Sequence, residues 1–167
     1  MKAVLQMFWQ ICLLRQSPAL VPAESWFVTT VVVANLLVSI VVSIAIDQTM
    51  EPMAIITRVV VGQATYALLV WLATWLRQFP GRFATTLTAL FGCDLIITAA
   101  FGVLQPLAGA FGEQALSVLS LGFMIWSLAV AGFILSRALN VRMGIGVLLA
   151  LGITVLTVAA GFTAVGA

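Results

Sequence analysis

Five long apolar runs, set apart by short segments that hold nearly all of the charge, constrain this chain more than any other feature. In lipid no water satisfies a bare N–H or C=O, so each run has to become a helix that closes its own backbone hydrogen bonds. The runs fall at about 26–46, 54–76, 84–105, 115–136 and 143–165. Each has about 21 to 23 residues, which at the rise of an α-helix is roughly 32 to 35 Å, enough to cross the hydrocarbon core with modest tilt. The expected fold is therefore all-α, a polytopic transmembrane bundle of five spans occupying residues 25–167 as one domain. Composition agrees: 63% of the 167 residues are hydrophobic and 7% charged, far outside the range of soluble domains. Pro52, Pro80-Gly81 and the stretch from Pro106 to Gly112 mark places where helices should end.

Orientation follows from the basic residues, which are retained on the cytoplasmic side. Lys2 and Arg15 precede the first span, Arg77 and Arg82 join the second and third, and Arg137 and Arg142 join the fourth and fifth. The opposite loops carry Asp47, Glu51 and Glu113, with Arg58 the one basic residue near them. The pattern predicts a bacterial cytoplasmic (inner) membrane protein with its N-terminus in the cytoplasm and its C-terminus periplasmic or extracellular.

Residues 1–24 form a separate cytoplasmic segment. Lys2, an apolar stretch and Ala23 resemble a secretory signal, but cleavage there would put both arginine pairs on the wrong face, and Gln6, Gln10 and Arg15 interrupt the apolar region. The segment reads instead as an amphipathic interfacial helix. Lys2, Gln6 and Gln10 share one face, while Leu5, Phe8, Trp9, Cys12 and Leu13 are available to enter the headgroup boundary, and Ser17-Pro18 stops the helix. A hydrophobic tail packed against the bundle is the alternative.

Several chemistries lack their residues. There is no histidine, which removes the commonest metal ligand and general base, and the two cysteines, Cys12 and Cys93, form neither a CxxC pair nor a disulfide framework. They read as small apolar residues. Seven Lys/Arg against five Asp/Glu do not make the basic face that nucleic acid requires. No Walker loop, GxSxG, HExxH or GxGxxG stands in a matching context. The reading is of a protein that is not an enzyme, with no catalytic, metal or cofactor-binding residues and no cofactor.

Asp94 is the one ionisable residue placed deep inside a span, where a carboxylate is expensive and marks either a functional site or a helix-packing hydrogen bond. Counted from the cytoplasmic ends, Asn35, Tyr66, Asp94, Ser127 and Thr154 all lie at roughly 15 Å depth, with Gln63 about one turn further out. If they face inward, these six form a buried polar network or a small polar cavity. In the first span Asn35, Ser39 and Ser43 share a face that should contact protein. Gly146 and Ala150, Gly132 and Ser136, and Thr88 and Gly92 are small-xxx-small pairs suited to close helix approach within the bundle. Arg58 can snorkel outward with Asp47 or Glu51 in reach, and Trp126, close to mid-span, is expected to fill the core.

Five spans, a short amphipathic lead ending in Ser17-Pro18, and the stretch Trp126-Ser-Leu-Ala-Val-Ala-Gly-Phe-Ile-Leu-Ser-Arg-Ala-Leu139 resemble the Yip family of five-span membrane proteins, including its bacterial branch, from about residue 26 onward. The acidic-aromatic entry typical of eukaryotic members is replaced by Pro22-Ala-Glu-Ser-Trp26. The resemblance implies a non-enzymatic scaffold or accessory subunit acting through intramembrane packing. Its partners would be the lipid bilayer, further copies of itself or other membrane proteins. A small transporter or channel-like subunit with Asp94 on the pathway is the rival expectation.

Overall fold

The computed structural model describes residues 2–18 and 21–166. Among them the elements are helices α1 (Lys2–Cys12), α2 (Ser25–Ile46), α3 (Pro52–Leu76), α4 (Phe83–Ala110), α5 (Glu113–Ala138) and α6 (Met143–Val165), with a 3-10 turn at Pro80–Arg82 before α4. Helices α2 to α6 are each long and apolar enough to cross a membrane. The protein is thus a five-span integral membrane bundle with a short leading helix.

The spans close into a ring. α2 packs on α4, α4 on α5, α5 on α6 and α6 on α3, and a looser contact between α3 and α2 completes the circuit. Small residues set the tightest approaches. A Cβ at Gly146 of α6 would run into the carbonyl oxygen of Gly132 on α5, and one at Gly161 would lie 3.1 Å from the backbone oxygen of Arg58 on α3. Ala150 and Thr88 are fully buried, so the small-residue pairs do serve contacts inside the bundle.

Helix ends are secured by local chemistry. Leu14, Gln78 and Asn140 adopt left-handed φ of 60°, 60° and 52° just past α1, α3 and α5. The matching backbone bonds, Arg15 N–H to Gln10, Phe79 N–H to Thr74 and Val141 N–H to Ser136, are those of Schellman caps. At the arginine-rich end, Arg77 donates to the Leu139 carbonyl at 3.2 Å and Arg82 to the Ala138 carbonyl at 3.3 Å, placing two cations on the negative end of α5. At the opposite end Arg58 pairs with Asp47 at 3.6 Å, and not with Glu51, and lies over the Phe162 ring. The Thr49 hydroxyl, donating to Asp47 at 2.7 Å, holds that carboxyl below its usual range and so keeps it ionised for Arg58.

Two expectations need correction. Pro106 does not end its helix, since α4 runs on to Ala110 and stops only where Gly112 takes φ of +101°. A proline there costs a single bond, to the Gly102 carbonyl, at the rim of the span. α1 takes the alternative placement along one face, packed against the bundle in place of the headgroup boundary. Leu5, Trp9 and Leu13 stay exposed, but Phe8, Ile11 and Cys12 are buried in the bundle. Phe8 stacks on Phe27 of α2 and covers Gly92 of α4, and the Trp126 indole donates to the Cys12 carbonyl at 2.9 Å. Spacing i, i+3, i+4 put these three apolar side chains on one stripe, and a stripe that finds a protein groove has no need of the headgroups. A Cβ at Gly92 would overlap the Phe8 ring. Gly92→Val should therefore lift α1 and, in a Cys93→Ala background, make the fully buried Cys12 react with N-ethylmaleimide at least tenfold faster than in the parent; an unchanged rate would mean that α1 is held elsewhere.

Candidate functional site

The deepest polar residues converge. Asn35 on α2 is completely buried, and its amide nitrogen donates to the Phe91 carbonyl at 3.0 Å and to Asp94 Oδ2 at 2.9 Å, both on α4. Its amide oxygen accepts from Gln63 Nε2 on α3 at 2.5 Å and from the Ser39 hydroxyl at 3.4 Å, and Gln63 also donates to Ser39 at 3.2 Å. One asparagine thus ties three helices, a role that needs its donors and its acceptor at once. It has no substitute among apolar residues of the same size. Asn35→Leu should lower unfolding stability by about 1 to 2 kcal/mol, because it removes the donor to Asp94 and the shorter of the two bonds that Gln63 makes, whereas Ser39→Ala should cost about 0.5 kcal/mol. Equal melting of the two variants in detergent would show that the network does not hold the helices.

Beyond this knot lies a cavity of about 230 Å³, walled by Gln63 and Tyr66 of α3, Asp94 of α4, Ser127 of α5, and Thr154 and Thr157 of α6. All six residues singled out by depth are therefore brought together. Five line the cavity and the sixth, Asn35, fixes Asp94 from behind. Measured along the helices, Asn35, Tyr66, Asp94, Ser127 and Thr154 sit about 15 to 17 Å from the arginine-rich ends, which is near mid-span. Ser43 plays no part in the network.

Asp94 is not sealed in. Its residue surface is exposed although Phe91, Gly92 and Cys93, immediately before it, are buried. No lysine or arginine lines the cavity, and among the described residues the ion pair is the distant one between Arg58 and Asp47. The rest of the wall is Tyr66, set edge-on to Phe91 with centroids 5.9 Å apart, and aliphatic side chains such as Ile97 and Ile134. Thr157, which depth counting missed because it lies one turn beyond Thr154, has a buried hydroxyl with no hydrogen-bond partner. Helices α3 and α6 adjoin beside it at Gly62, where a Cβ would sit 3.6 Å from the Thr157 methyl, an ordinary contact. The arrangement offers one carboxylate, an unpaired hydroxyl and aromatic edges to whatever enters.

The two cysteines, widely separated in sequence, meet behind the same wall. Cys12 Sγ lies 3.9 Å from the Cys93 carbonyl and Cys93 Sγ lies 3.8 Å from the Phe8 carbonyl, both thiols free and buried. They act as the small apolar residues expected, locking α1 to α4 one position before Asp94. Among the described residues no group of three metal-ligating side chains occurs.

A scan against protein-family models, a search of curated proteins and a search of solved structures each find no match to this chain.

Proposed function

We propose that this chain is a small transporter or channel-like subunit of the bacterial inner membrane, with Asp94 as the group that receives a cationic solute. The observation that carries the reading is Asp94 at mid-span, an exposed residue that lines a cavity with no positive side chain. A carboxyl whose whole purpose is to pin helices would be enclosed by donors, because each unmet lone pair in a low-dielectric interior is costly. Asp94 accepts one bond, from Asn35, and lines the cavity. The basic residues gathered at one end support a cytoplasmic N-terminus. The scaffold role that the resemblance implies ranks second, since it gives the cavity no use. The reading includes no catalytic step.

The test is flux. In proteoliposomes the wild type should carry a small organic ammonium such as methylammonium, and Asp94→Asn, which keeps the shape and the Asn35 contact, should carry at least tenfold less. Equal flux in the two, or none in either, would return the protein to the scaffold reading.

A further inference from the structure

We infer that the seam between α4 and α5 is a lateral docking groove through which a lipophilic organic cation places its ammonium on Asp94 from the bilayer. The inference rests on the proposed role of Asp94 and adds the class of solute and its route. A second hollow, of about 220 Å³, shares Asp94, Ile97 and Ser127 with the central cavity and continues along the seam past Thr98, Phe101, Ser120 and Phe123. It leads toward the acidic end, since Asp94 to Phe101 ascends α4 as Ser127 to Ser120 descends α5, a length of about 10 Å. Ser120 is exposed and Met124 is 59% exposed, so the rim of the groove belongs to the surface that lipid covers.

Charge and wall chemistry select the occupant. The deep end is a carboxylate and the sides carry two aromatic rings, Phe101 and Phe123, 5.4 Å apart centroid to centroid. Ring faces and a thioether accommodate an alkylammonium headgroup, which is large, weakly hydrated and attracted by the aromatic quadrupole. A metal ion would have to exchange its water shell for more oxygen ligands than one carboxylate supplies. A zwitterionic phospholipid would bring its phosphate toward Asp94 with no Lys or Arg along the groove to receive it. What remains is a single-tailed cation, its headgroup at Asp94 and its chain along the seam, beyond which Leu104, Leu107 and Val118 border a further apolar hollow.

The full chain in nanodiscs, corrected for empty discs, would be titrated with tritiated decyltrimethylammonium and with tetramethylammonium. The wild type should bind the decyl cation at least tenfold more tightly, and Asp94→Asn should weaken both at least tenfold. Ser120→Trp, which fills the groove from its lipid-exposed rim, should weaken the decyl cation tenfold and leave tetramethylammonium unchanged; Thr98→Phe fills the same groove from α4 in case the first variant misfolds. If neither filler affects the decyl cation while Asp94→Asn still weakens tetramethylammonium, the groove is overturned and the cavity stands. Failure of both cations to bind the wild type overturns the groove and the role of Asp94 together. Equal affinity for decanol would make the seam a plain lipid contact, and a change in oligomeric mass on filling it would give the groove to a second copy of the chain; either result overturns the inference.

Discussion

Gly146→Val should unfold this bundle far more readily than Gly152→Val, although the two glycines lie on the same helix six residues apart. At Gly152 an added Cβ meets nothing within 4 Å. At Gly146 it strikes the Gly132 carbonyl oxygen and comes within 2.8 Å of Ser136 Cβ and 3.0 Å of Ser136 N. The opposing position is as tight, since a Cβ on Gly132 would lie 2.8 Å from Val147 Cα and 2.9 Å from its nitrogen. Backbone faces backbone here, so no rotamer change relieves the clash and α5 and α6 must separate. Overpacking penalties in well-packed interiors reach about 3 kcal/mol, and in lipid, where van der Waals contact is a main source of helix association, the lost packing adds to that. Thermal unfolding in mild detergent should show a large drop for Gly146→Val and almost none for Gly152→Val. Equal melting temperatures would mean that α5 and α6 are not in contact where the structure puts them.

The same pair of glycines shows why part of the fold is legible in the sequence. Span placement depends on runs of apolar residues and on the cost of bare backbone in lipid, both local, and α6 begins and ends at the expected residues, 143 and 165. The small-residue spacing identifies close approaches without saying which helix is approached. Gly132 and Gly146 each appear in a separate pair, and only the fold shows that they face each other. Depth counting assembled the candidate site for a similar reason: helices of matched length, starting from the same interface, bring residues at the same count to the same level. Apart from the face that Asn35 shares with Ser39 and Ser43, their inward direction had no signature, because the spans are nearly as apolar on one side as on the other. Helix α1 carries its apolar stripe in the sequence, which allows packing against the bundle, but that Gly92 leaves the groove for it and that Cys12 meets Cys93 are tertiary events with no local signature. Pro106 misled for the opposite reason. Its local rule is sound, but one missing hydrogen bond at the end of a helix of 28 residues does not outweigh the rest of the ladder.

Asp94→Cys should be labelled by a positively charged, membrane-impermeant thiol reagent in a background where Cys12 and Cys93 are changed to Ser and Ala. The variant is well posed structurally. Asn35 loses its bond to Asp94 but keeps the Phe91 carbonyl, Gln63 and Ser39, so the knot that ties α2, α3 and α4 survives. Cys93 is 1% exposed and Cys12 fully buried, so their replacement by small residues removes background without opening the cavity. The new thiol would sit where the Asp94 carboxyl sits now, on the wall shared by the central cavity and the α4–α5 groove. If water and small cations reach the cavity, the reagent reacts, and Ala131→Trp, which fills the cavity from α5, slows the reaction at least tenfold. A thiol that stays protected while a control at Gln48 in the α2–α3 loop is labelled would mean that the aqueous phase does not reach the cavity. Hydrophilic ammonium ions, which have no path through lipid, would then not reach Asp94, their flux would be absent, and the transporter reading would give way to the scaffold one. Charge at mid-span is tolerated in a membrane protein only where something meets it, and the choice between water, a bilayer-borne cation and a neighbouring helix is what the reactivity of this one position decides.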